Sequence, residues 1–201
     1  MTREYTFVVG PETPTQPTAG TPSADTDFLT LGFANSTYCK GGYGFTWNPK
    51  AGSAPLEDFE NGEKIYEFQN NVTQFLVAFI KVPEGYVAGT QIKLYIGYYT
   101  SSTTNNVFLV TDTYLIREST DAVTSTTNKH DSTNTEDTNG SPGSRYNKVE
   151  LDLTDADGEI NSVAVSAGDM LRVELTRDWG NESTPDTNDT KVIPSSSEIV
   201  M

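Results

Sequence analysis

The sequence has one cysteine, Cys39, and one histidine, His130, among 201 residues. A single thiol closes no intrachain disulfide, and nothing in the chain reports an oxidising compartment. A zinc centre would need two carboxylates beside that one Cys and one His, and no spacing in the sequence marks them. A Ser–His–Asp or Cys–His nucleophile would have to use His130, which lies in a polar run with no apolar scaffold around it. His130 therefore reads as an exposed loop histidine. Basic charge is also scarce: 13 Lys and Arg stand against 28 Asp and Glu, a net charge of −15. Such a surface repels phosphate backbones and anionic membranes, which excludes nucleic acid and membrane surfaces as expected partners. The longest apolar run, Phe75–Ile80, is far below the ~20 residues of a membrane span. The first residues, MTREYTFVVGPETP, show no basic segment leading into an apolar one, so no secretory signal is expected. No stretch sustains a 3.6-residue apolar period, which argues against a helical fold.

What is present is alternation. Ile92, Leu94, Ile96 and Tyr98 take one side of Gln91–Tyr99, with Gln91, Lys93, Tyr95, Gly97 and Tyr99 on the other. A period of two marks a half-buried strand. Val72–Val82 is apolar on both sides: Phe75, Val77 and Phe79 against Leu76, Ala78, Ile80 and Val82. A strand apolar on both faces is covered on both. One sandwich layer covers one face, so Leu76, Ala78, Ile80 and Val82 are expected to meet a symmetry-related subunit, and a homotrimer is predicted. Further strands are predicted at Lys64–Phe68, Val107–Glu118, Arg145–Leu153, Ile160–Val165 and Met170–Arg177, with a last edge strand around Val192-Ile193. Gly44–Glu60 reads as loop, with Asp58–Gly62 turning into the Lys64 strand, and Thr120–Ser144 as a projecting polar loop. Seven to nine short strands separated by turn residues predict an all-β fold, an antiparallel β-sandwich of the jelly-roll type.

Residues 1–27 differ from the rest. Pro11, Pro14, Pro17 and Pro22 stand among Thr, Ser and Ala, a composition that favours extended chain. The division expected is an extended arm over 1–27 and a jelly-roll domain over 28–201. Tyr5, Phe7 and Val9 alternate near the start of the arm and could add a strand to a partner's open edge.

Val165–Asp178, VSAGDMLRVELTRD, runs from an Ala-Gly-Asp turn into an alternating strand ending in Arg-Asp. It resembles the late strand of jelly-roll modules in tailed-bacteriophage virion proteins. FIKVPEGYVAGTQIKLYIGYY and KVELDLTDADGEI fit the same pattern, and GTPSADTDFLTLGFAN resembles the short linker near the start of phage head-fibre and tail-fibre proteins. The resemblance covers about Gly20 to Asp178. It implies a non-enzymatic, trimeric virion-surface protein of the capsid decoration (cement) or head-fibre type, assembled in the host cytoplasm. Its partner would be the major capsid protein or another virion protein, docked through Tyr5, Phe7 and Val9. The alternative is a fibre or receptor-binding tip that recognises host surface glycans.

No catalytic, cofactor or metal residue is predicted. Asp155-Ala156-Asp157-Gly158-Glu159 resembles the start of a calcium loop but lacks the further ligands such a loop needs, and a turn explains it. Glu57, Asp58 and Glu60 could form a glycosidase pair, but 28 acidic residues produce such clusters by chance. Tyr43, Trp47 and Trp179 are candidates for stacking on sugars or for sealing the ends of the sandwich. The Asn-x-Ser/Thr matches at Asn35, Asn71, Asn181 and Asn188 carry little information in a chain this rich in Asn, Ser and Thr.

Overall fold

The structure is a computed structural model that describes residues 37–38, 44–101, 106–132, 137–138, 146–182 and 187–201. Ten strands build two sheets: β1 (Asn48–Pro49), β2 (Leu56–Glu60), β3 (Glu63–Phe68), β4 (Phe75–Lys81), β5 (Lys93–Tyr99), β6 (Leu109–Ile116), β7 (Lys129–Asp131), β8 (Asn147–Asp152), β9 (Met170–Arg177) and β10 (Thr190–Val200). Sheet I has the order β7-β6-β9-β4-β1 and sheet II the order β8-β5-β10-β3-β2. All neighbours in both sheets are antiparallel. The chain changes sheet at every connection except β2–β3 and β6–β7, so the fold is an antiparallel β-sandwich with the strand path of a jelly roll. Short two-residue ladders flank the sandwich at Thr37–Tyr38 with Gly44–Phe45, at Asn106–Val107 with Asp137–Thr138, and at Glu159–Ile160 with Val163–Ala164.

The core lies between the sheets. Leu76, Ala78, Ile80 and Val82 meet Leu171, Val173 and Leu175 on sheet I, while Ile92, Leu94, Ile96, Tyr98, Tyr66 and Phe68 fill from sheet II. Each fully buried aliphatic side chain of this kind stabilises the fold by about 1.5–3 kcal/mol. This placement corrects one expectation: Leu76, Ala78, Ile80 and Val82 are at most 1% exposed within the single chain and have no surface left for a second subunit. The outward residues of β4 are Phe75, Val77 and Phe79. They are partly covered within the chain, where the Lys50 ammonium lies 4.6 Å from the Phe75 ring centroid. Phe79 keeps 41% of its surface. Tyr5, Phe7 and Val9, and the whole of residues 1–27, lie outside the described residues.

Three more elements differ from the sequence reading. Leu56–Glu60 is a strand, because Asn61 (φ 51°) and Gly62 (φ 86°) make a two-residue turn with both central residues in the left-handed region. That geometry matches the twist of a hairpin, and Asn-Gly is its favoured sequence. The run predicted as a polar loop supplies an edge strand, β7, paired with Asp112–Tyr114. His130 therefore points inward with its side chain only 10% exposed, and its Nδ1 stands 3.2 Å from Asp155 Oδ1. Finally, β10 is central, held between β5 and β3. Its register with β5 shifts between Ile193 and Glu198, a bulge in the stretch that holds Pro194. Ser196 bridges the bulge: its Oγ accepts from the Gly97 N–H (2.7 Å) and donates to the Ile193 carbonyl (2.6 Å).

Candidate binding face

The two outer faces of the sandwich differ. On sheet I the outer face is partly covered around β9, while Phe79 on β4 stays exposed. Arg172 and Glu174 are buried there; the Arg172 guanidinium sits 4.2 Å from the Tyr114 ring centroid and donates to the Val123 carbonyl (3.1 Å) in the segment that joins β6 to β7. Glu174 takes Lys50 at 2.7 Å. Asp112 and Asp131 share Lys129. Burial, then the hydrogen bond with Asp131, pushes the Asp112 carboxyl up.

Sheet II presents an open face built around β5. Tyr95, Gly97 and Tyr99 point outward from one strand, so the two tyrosines are about 13 Å apart along it. Each heads a similar set of polar groups. The Tyr95 hydroxyl donates to Glu150, which lies directly opposite on β8; Glu150 also takes Lys93 at 2.5 Å, and Lys148 lies 4.6 Å from the Tyr95 ring centroid. The Tyr99 hydroxyl donates to Glu60, which takes Lys191, and Lys191 lies 5.7 Å from the Tyr99 ring centroid. The bonded ammonium, and then the tyrosine hydroxyl, hold both carboxyls below their usual range: Lys191 and Tyr99 for Glu60, Lys93 and Tyr95 for Glu150. Burial and then Glu60 push the Tyr99 phenol up, so it keeps its proton and acts as a donor, not as a base.

Between the two sets the sheet has no side chain, and the Tyr146 ring fills the gap. A Cβ on Gly97 would stand 2.3 Å from Tyr146 Cε2 and 2.5 Å from Ser196 Oγ. Tyr146 is 56% exposed, so its ring lies over the backbone with a large apolar surface open to solvent. Beyond Tyr99 the face sinks into a depression of about 300 Å³ lined by Glu67, Tyr99, Asn188, Asp189 and Lys191, among others. Burial, and then a hydrogen bond with Asp189, push the Glu67 carboxyl up; Asp189 also accepts from the Asn70 N–H at 2.8 Å.

This arrangement suits recognition. It offers aromatic surface flanked by hydroxyl, carboxylate and ammonium groups. Among the described residues no group of three or more His, Cys, Asp or Glu is placed to hold a metal ion. The acidic residues singled out in the sequence separate: Glu57 pairs with Lys64 at 2.8 Å, Asp58 accepts from the next backbone N–H, and Glu60 joins the Tyr99 set. The Asp155–Glu159 segment is a turn, with Gly158 (φ 73°) pressed against Thr90 and Tyr86. Trp47 is 2% exposed and donates to Ser197 Oγ at 3.0 Å, so it seals the core and does not stack on a ligand. Trp179 is half-buried in a single 3₁₀ turn, and Tyr43 lies outside the described residues. The residues the sequence reading missed as a site are Tyr95, Tyr99 and Tyr146. The signal was there in part, since Tyr95 and Tyr99 flank an outward glycine on one strand.

No family model matches this chain, and no curated protein sequence matches it. Among solved structures it is similar to TmCBM61 in complex with beta-1,4-galactotriose, at 7% identity over 78% of this chain and 87% of the other, with a TM-score of 0.36. It is also similar to a carbohydrate binding module of family 29, at 12% identity over 74% and 85%, with a TM-score of 0.33. At these scores no residue and no ligand is carried over.

Proposed function

We propose that the protein is a non-enzymatic glycan-binding β-sandwich and that the outer face of sheet II is its binding surface. The observation that carries this is the exposed Tyr146 ring lying over Gly97, between two sets of Tyr, Glu and Lys on the same sheet. A sugar ring presents apolar C–H faces and a rim of hydroxyls. A tyrosine ring can take the first, and fixed carboxylates and ammonium groups can take the second.

The wider setting is proposed on the sequence resemblance alone. A decoration or head-fibre protein on a tailed-phage particle, trimeric and anchored through residues 1–27, would hold this face outward toward host surface glycans. Co-sedimentation of full-length and truncated protein with particles lacking it tests that setting. The glycan reading itself is tested by affinity electrophoresis through gels containing soluble polysaccharides. The wild type is expected to be retarded by at least one of them, and Tyr146→Ala to migrate as in a blank gel. Equal retardation of both proteins would overturn the assignment of this face.

A further inference from the structure

Resting on that reading, we propose that the face selects uncharged glycan chains longer than one sugar ring and rejects chains bearing carboxylate or sulfate groups. The charges on the face are arranged for this. Its lysines are already engaged: Lys93 with Glu150 at 2.5 Å, Lys148 with Glu198 at 3.1 Å, and Lys191 with Glu60 and, at 3.9 Å, Glu67. Lys148 and Lys191 also lie over tyrosine rings. An incoming anion would have to break one of these pairs to gain a cation, and would leave behind a carboxylate of its own sign.

The same pairing leaves acceptors in place. Glu60, Glu67, Glu150, Glu198 and Asp189 ring the tyrosines. Carboxylates accept hydrogen bonds from hydroxyls and offer nothing to an anion. A protein with a net charge of −15 adds a long-range repulsion of the same sign. The length argument is separate. The Tyr95 and Tyr99 sets are about 13 Å apart along β5, with Tyr146 between them. A single ring engages one set, and only a chain spans both.

A glycan array printed with neutral oligosaccharides and with the same chains carrying sialyl, uronyl or sulfate groups tests the proposal on the full-length protein. The expected bound set is neutral and at least two rings long, with an acidic substituent weakening binding at least tenfold. Acidic chains bound as strongly as their neutral parents would overturn the selectivity and leave glycan recognition standing. Binding to no glycan would overturn both. Glu198→Gln, which releases Lys148 from its carboxylate, is expected to narrow the gap between acidic and neutral chains. An unchanged gap would show that the pairing of the lysines does not set the preference.

Discussion

At the scale of single residues, Gly97 decides the character of the face. Any side chain there would occupy the space that Tyr146 takes, since an added Cβ comes within 2.3 Å of its ring. The added Cβ also comes within 2.5 Å of the Ser196 Oγ that bridges the β10 bulge, so Gly97→Ala is expected to cost about 1–3 kcal/mol of stability. It should weaken glycan binding at least tenfold in titration calorimetry, because the Cβ displaces the Tyr146 ring from its place over Gly97. A second residue makes a pH prediction. Burial and Asp189 raise the Glu67 carboxyl above its ordinary value of 4.5. A raised carboxyl favours the folded state below that value and loses this contribution as the pH climbs through the raised one. Glu67→Gln should therefore raise the melting temperature by about 1–2 °C at pH 7. That gain should vanish below pH 4, and a constant gain at both pH values would contradict the assigned cause. The sequence shows Tyr95 and Tyr99 on the outward side of a strand, but it cannot show Tyr146, which reaches Gly97 from the start of another strand.

At the scale of elements, alternation was a sound guide where one face of a strand is buried. It placed Met170–Arg177 residue for residue and put Ile92, Leu94, Ile96 and Tyr98 on the core side of β5. It misled in two ways. On β4 both faces are apolar, so the pattern could not say which faced inward, and the core side was assigned to a partner. On β10, Pro194 and three serines mask a central strand, because the bulge that accommodates them is held by Ser196 bonding across to Gly97. Leu56–Glu60 was hidden by its acidic residues, although Asn61-Gly62 was a hairpin signal in plain view. A buried ion pair ties the end of β9 to the segment that leads into β10. Arg177, the last residue of β9, donates through Nε and Nη2 to both Glu182 oxygens at 2.8 and 3.0 Å, and through Nη1 to the Asn188 carbonyl at 2.7 Å. Both side chains are at most 1% exposed. Glu182→Ala would leave the guanidinium buried without its carboxylate, which costs about 3–5 kcal/mol. Chemical denaturation should show that loss as a lower midpoint with an unchanged slope. A loss below about 1 kcal/mol would mean that water reaches Arg177 in the variant.

At the scale of the whole molecule, the two outer faces of the sandwich differ in what covers them. On sheet I, Arg172 and Glu174 are buried, Arg172 under the segment that holds Val123, while on sheet II Tyr146 stands exposed. Strand alternation and turn residues foretold an antiparallel β-sandwich, but which residues cover the outer face of sheet I depends on the segment that joins β6 to β7, and its sequence shows no sign of where it packs. The central claim is that glycan binds over Tyr146 and β5. Amide hydrogen exchange tests it most directly, comparing the free protein with the protein saturated by the strongest neutral oligosaccharide from the array. Slowed exchange is expected in β5, β8 and the Ile193–Glu198 bulge of β10, with β4, β6 and β9 of sheet I unchanged. Protection confined to sheet I or to the β4 face, with β5 and β8 unaffected, would contradict it.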